Sequence, residues 1–66
     1  MTLLTAPRLT DPDAVFAALV AAHDGLDEAA SRRVDAALVL LLANHIGDDA
    51  VVLHAIKTAR HTEDPK

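Results

Sequence analysis

Residues 36–43 read Ala-Ala-Leu-Val-Leu-Leu-Leu-Ala, an unbroken apolar run that predicts a helix in the middle of the chain. Because successive residues of a helix are rotated by about 100°, a helix made from this run carries leucine or valine on every side. No side of such a helix suits water. The other apolar segments of a 66-residue chain can cover one face. We therefore expect a second copy or a different protein to cover part of the other.

Capping residues predict where the helix before this run begins and ends. Asp11-Pro12-Asp13 reads as an N-cap carboxylate, a proline at the first helical position and an acid in the first turn. Apolar residues then recur at helical spacing, and Gly25 can adopt the left-handed conformation that ends a helix. The pattern predicts a first helix at about 12–24.

Two further helices follow from the same kind of signal. Asp27 is the expected N-cap of a helix at about 28–46, which contains the apolar run and ends before Gly47. An aspartate of the pair 48–49 then caps a third helix at about 49–60. Connections this short favour antiparallel packing of consecutive helices.

The predicted fold is all-α, a small three-helix bundle. The domain spans 11–60, residues 1–10 form an arm that is either extended over a groove or disordered, and 61–66 form a flexible tail. One stripe of the second helix is expected to face inward: Ala30, Val34, Ala37, Leu38, Leu41 and His45.

Composition argues against several classes of function. The chain has no cysteine, so neither a disulfide nor a thiolate metal site is expected, and the cytoplasm is the default location. The N-terminus does not resemble a secretory signal, and the apolar run is shorter than the roughly 20 residues of a membrane span. A formal net charge of -4, with scattered Lys and Arg, does not favour nucleic acid as a partner.

Residue patterns for catalysis are equally weak. Ser31 lacks a glycine-bounded elbow, and two glycines cannot build a phosphate-binding loop. His23 and His45 fall in last helical turns, where imidazole interacts favourably with the helix dipole and free carbonyls. We expect no enzyme activity, no cofactor and no metal site, and we keep Asn44, His45 and His23 as polar residues that could have a function.

The expected functional feature is an apolar surface. Part of the second helix projects away from its inner stripe, and small alanines in the first helix permit close approach. The alternative is that the other helices and the arm cover the second helix and leave a monomer. The residues that we expect at a partner interface are Leu38, Leu40, Leu42, Ile46 and Phe16.

The stretch Leu38–Asp48, preceded by Asp11–Asp13 and Ala22–Leu26, resembles a family of short bacterial proteins classed as a domain of unknown function. The Ala-Asn-His-Ile-Gly-Asp run at 43–48 is the most distinctive part of a likeness that spans about 11–59.

That resemblance implies a proteobacterial origin and a partner. Members of the family are sometimes encoded beside flavin-dependent hydroxylases or other enzymes of aromatic-compound breakdown, so such a hydroxylase becomes a candidate partner. The chain departs from the family pattern at Asp35, where asparagine is expected, and around Ala17, where more polar residues are usual. A partner surface that used those positions would differ in this chain.

Two functions from different classes remain open. The first is an accessory or interaction protein that self-associates or docks on a larger enzyme. The second is a small binding protein that encloses an apolar ligand or, across a dimer axis, a metal held by His45 and carboxylates such as Asp48.

Overall fold

The computed structural model describes residues 2–64, and within that range it contains three helices and no strand. Helix α1 spans Pro12–Ala22, α2 spans Glu28–Ile46 and α3 spans Asp49–His61. The predicted all-α fold, a small three-helix bundle, is confirmed. Residues 2–10 contain no helix, and all but the half-buried Leu3 are exposed. His61, which the sequence assigned to the tail, is the last residue of α3.

Each helix begins at an aspartate that caps it. The side chains of Asp11, Asp27 and Asp48 each accept a hydrogen bond from the backbone N–H three residues later, at 3.0, 2.8 and 3.2 Å respectively. This bond satisfies one of the N–H groups that a first helical turn leaves without an intrahelical acceptor. The capping residues predicted from the sequence are therefore confirmed.

Helix α1 ends two residues earlier than predicted, and the reason is the side chain of His23. Its ring nitrogen Nδ1 lies 2.6 Å from the Leu19 carbonyl oxygen, the acceptor that the His23 backbone N–H would use in a continuing α-helix. That N–H instead donates to the Val20 carbonyl at 3.1 Å, which tightens the last turn. Gly25 does have a positive φ, of 75°, but it lies beyond the helix end.

Helix α2 ends as predicted. Gly47 has φ 66°, and its N–H donates to the Ala43 carbonyl at 3.0 Å. A left-handed residue at this position reverses the chain, because the next residues can no longer extend the α2 axis. Asp48 then caps α3, which folds back against α2.

Helices α2 and α3 pack against each other, and no other pair of helices does so to the same extent. Ala43 of α2 is half-buried, as are Val52 and Ala55 of α3. Among the described residues only Val51 is buried. The bundle is therefore open rather than closed around one core.

The inner stripe of α2 was only partly predicted. Ala30, Val34 and Leu38 are half-buried, but Ala37 and His45 are exposed and Leu41 is 69% exposed. The prediction that these last three residues face inward is wrong. Helix α3 packs on the Ala43 side of α2, and two residues along a helix is a rotation of about 200°, so Leu41 points almost directly away from α3.

The chain is expanded for its size. Its radius of gyration is 13.6 Å, whereas about 11 Å is typical of a compact domain of this length. Its accessible surface is 5953 Å², whereas a folded monomer of this mass exposes about 4,000 Å². The excess is about 1,900 Å², and exposed hydrophobic side chains contribute to it on all three helices.

Candidate functional site

An apolar groove runs between α2 and α3. It has a volume of about 280 Å³. Every residue that lines it is apolar: Val39, Leu42, Ala43, Ile46, Val52, Ala55, Ile56 and Ala59. The lining residues span about two turns of each helix, and none carries an ionisable group. A groove of this length and composition suits the apolar stripe of another helix.

A second apolar surface lies on the other side of the same helix contact. Its lining residues, around a cleft of about 430 Å³, are Leu40, Ala43, Asn44, Gly47, Asp49, Val52 and Leu53. Ala43 and Val52 belong to both surfaces and therefore form the ridge between them. This surface differs from the groove because it contains a carboxylate and an amide beside its leucines.

Helix α1 contributes a third set of exposed apolar side chains. Phe16 is 68% exposed, and Val15, Leu19 and Val20 are also open to solvent. No residue of α1 is buried. From Ala14 to Ala22 the helix has no charged residue, so α1 presents an apolar face to solvent beside its contact with α2 at His23.

The predicted interface residues lie on different apolar surfaces in the structure. Leu42 and Ile46 line the groove, Leu40 lies on the second surface and Phe16 lies on α1. Leu38 is half-buried, which makes it the least exposed of the five. The sequence identified apolar positions correctly but did not show that they belong to separate surfaces.

His23 connects α1 to α2. Its Nε2 lies 2.7 Å from an Asp35 carboxylate oxygen, while Nδ1 faces the Leu19 carbonyl oxygen. Both neighbours are acceptors, so only the doubly protonated imidazolium donates to both. The hydrogen bond to the Leu19 carbonyl, and then the hydrogen bond to Asp35, raise the pKa of His23 above its ordinary value of 6.5.

Sequence reasoning had proposed that His23 interacts with the end of its own helix, and the Leu19 contact agrees. It missed Asp35, which is twelve residues away. The turn at 23–27 decides that contact, because it sets where the end of α1 meets α2. A histidine before a glycine turn and an acid two helical turns into the next helix would be the signal to search for.

Asn44 and His45 lie near the end of α2, and both side chains are exposed. Asn44 lines the second surface, whereas His45 is the basic residue of the last turn. The carboxylate of Asp48 accepts the Val51 N–H, and this hydrogen bond lowers its pKa below 3.8. Across residues 2–64 no three or more His, Cys, Asp or Glu side chains are grouped so that they could hold a metal ion.

The chain matches one protein-family model over most of its length. The model of a family described as a protein of unknown function (DUF2783) matches residues 3–61, which include all three helices. No curated protein and no solved structure matches the chain. Separately, none of the helices in the described part of the chain is both long enough and apolar enough to cross a membrane.

Proposed function

The chain belongs to this family of proteins of unknown function, and from that premise we propose that it is a non-enzymatic helical interaction protein that works as part of a protein complex. One observation supports this most directly. The protomer buries a single hydrophobic residue, Val51, among those described, while large apolar side chains on every helix stay open to water. Exposed apolar surface on this scale is typical of association sites.

The exposed area is large enough for a stable interface. A standard protein complex buries about 800 Å² on each partner. The excess surface of this chain over a compact monomer is about 1,900 Å², shared between the open segment 2–10 and the exposed helix faces. At about 25 cal/mol per Å² of apolar surface, covering the helix faces would stabilise the protein.

The polar residues favour binding over catalysis. The Nε2 of His23 contacts Asp35 of α2, its Nδ1 faces the Leu19 carbonyl of its own helix, and the Asp48 carboxylate caps α3. These contacts are structural, so the proposal includes no cofactor and no metal. The composition without cysteine and the net charge of -4 support a location in the cytoplasm and a partner other than nucleic acid.

A second candidate in the same class is an accessory subunit that docks on a larger enzyme. The arrangement of two apolar surfaces on opposite sides of one ridge favours it, because a partner in the groove leaves Leu40 and Leu53 open to another. The flavin-dependent hydroxylase implied by the family resemblance is the partner to test. Reconstitution of the two purified proteins, followed by light scattering, would show whether a mixed complex forms.

The main proposal is tested by sedimentation of the purified protein over a dilution series. We expect particles heavier than 7.0 kDa that dissociate on dilution. Leu42→Glu places a charge in the groove and is expected to shift the equilibrium toward the monomer. His54→Glu is the matched control, because His54 lies outside both apolar surfaces. A folded monomer at every concentration would refute self-association and leave only docking on a different protein.

A further inference from the structure

Helix α1 and the groove between α2 and α3 are complementary, yet they do not fill each other within one protomer. The groove is lined by apolar side chains, and α1 carries Phe16 and three aliphatic residues that are exposed. We propose that the groove of one copy is occupied by helix α1 of a second copy, in a dimer that exchanges this helix. This inference rests on the proposed function and names its partner.

Helix α1 is long enough to span the whole groove. Helix α1 has 11 residues, which gives a length of about 16 Å, while the groove follows about two turns, or roughly 11 Å, of α2 and of α3. Half of its lining on α3 is alanine, at Ala55 and Ala59. These small side chains leave room for a ring as large as that of Phe16.

Charge also agrees. None of the residues that line the groove is ionisable, and α1 has no charged residue from Ala14 to Ala22. Docking the helix therefore removes no charged side chain from water, and a buried ion without a partner is strongly unfavourable. A charged or strongly polar partner helix would lose this advantage.

The contact of His23 with Asp35 anchors the C-terminal end of α1 on its own α2, while α1 does not pack on either helix as extensively as α2 and α3 pack on each other. The Phe16 side of α1 is therefore left open to another copy. Exchange of an identical element is a low-cost route to a dimer.

In a reciprocal exchange each copy both donates α1 and accepts one, so each copy buries surface twice. Each copy therefore covers both its groove and the exposed apolar side chains of α1.

Cross-linking of single-cysteine variants tests the proposal, because the natural chain has no cysteine. Phe16→Cys is mixed with isotope-labelled Ala55→Cys and treated with a short bismaleimide. We expect a linked product whose mass contains one chain of each kind. The matched control replaces Ala55→Cys with His54→Cys, its neighbour outside the groove, and is expected to link several-fold less.

Four results would overturn the inference. One is equal linking at positions 54 and 55. Another is a complex that persists in sedimentation but gives no product between positions 16 and 55, which would leave the proposed function standing. The third is efficient linking within single chains of the double variant at high dilution, since that would show α1 closing on its own groove. The fourth is a monomer at every concentration, which would also refute self-association in the proposed function.

A charge on α1 gives a second measurement that does not depend on cross-linking. Phe16→Glu is expected to dissociate the dimer on dilution, because a carboxylate would enter an apolar groove. Ala17→Glu places the same charge one residue further along, away from the Val15 and Phe16 side of the helix, and is expected to have little effect. Equal dissociation by both variants would contradict the assigned face of α1.

Discussion

Replacement of Val51 by alanine is expected to destabilise the protein more than replacement of the larger Leu41. Val51 is 5% exposed, whereas Leu41 is 69% exposed. Val51→Ala removes the equivalent of two buried methylene groups, about 1.6 kcal/mol at about 0.8 kcal/mol each, and the cavity left behind raises the cost to about 2 kcal/mol. Leu41→Ala removes more atoms but changes the free energy of unfolding by less than about 0.5 kcal/mol.

The difference is large relative to the total stability. A single domain of this size has about 3–5 kcal/mol of stability from its core, so Val51→Ala would remove about half of it. With a urea m-value of about 1 kcal/mol/M for a small domain, the unfolding midpoint would fall by about 2 M. The assay is urea denaturation followed by far-ultraviolet circular dichroism, with all three proteins at the same concentration.

Two results would refute this reasoning. If Leu41→Ala were as costly as Val51→Ala, the inward orientation that the sequence predicted for Leu41 would be correct and the observed packing side of α2 would be wrong. If neither substitution mattered, Val51 would not be a core residue. Repeating the measurement at higher protein concentration separates folding of the protomer from association, because only association makes the midpoint depend on concentration.

Two further predictions concern the helix ends. Because the pKa of His23 is raised, its contacts stabilise the fold fully below pH 6.5, and this contribution is lost as pH rises through the higher folded-state pKa. NMR titration should show a His23 pKa above 6.5 that falls in Asp35→Ala. An unchanged pKa in that variant would contradict the role of the carboxylate. Gly47→Ala should lower the free energy of unfolding in urea by about 1 kcal/mol, because φ 66° is strained for alanine even though the new Cβ would meet only the Asn44 carbonyl oxygen, at 3.7 Å. Gly47→Asn should lower it by less, and equal stability of wild type and Gly47→Ala would exclude the strain.

Local signals in the sequence were sufficient to locate the helices. Aspartate caps at 11, 27 and 48 and the glycine at 47 act through backbone hydrogen bonds within a few residues, so they can be recognised without a tertiary structure. Two helix ends differed from the prediction: α3 extends one residue further, to His61, and the end of α1 depended on the His23 side chain taking the Leu19 carbonyl. That competition depends on a rotamer, which a sequence pattern does not contain.

The sequence predicted that the candidate site is apolar, but it did not predict which residues line it. The apolar run at 36–43 showed that α2 has no polar side, and this property is independent of what packs on it. Which of its residues form the groove depends on the side of α2 that α3 meets. Because the run is apolar all round, hydrophobicity alone gave no preference among Leu40, Leu41 and Leu42, and the inward orientation assigned to Leu41 was wrong for that reason.

Capping and hydrophobic periodicity act over short distances along the chain, so the sequence was enough to predict three helices with more apolar surface than 66 residues can enclose. How that surface is divided depends on contacts between the helices. The left-handed turn at Gly47 places α3 against the Ala43 side of α2, and the His23 contact with Asp35 fixes the end of α1. The turn at Gly47 and the contact of His23 orient whole helices, and that orientation divides the apolar surface into a groove, a second surface and the exposed face of α1.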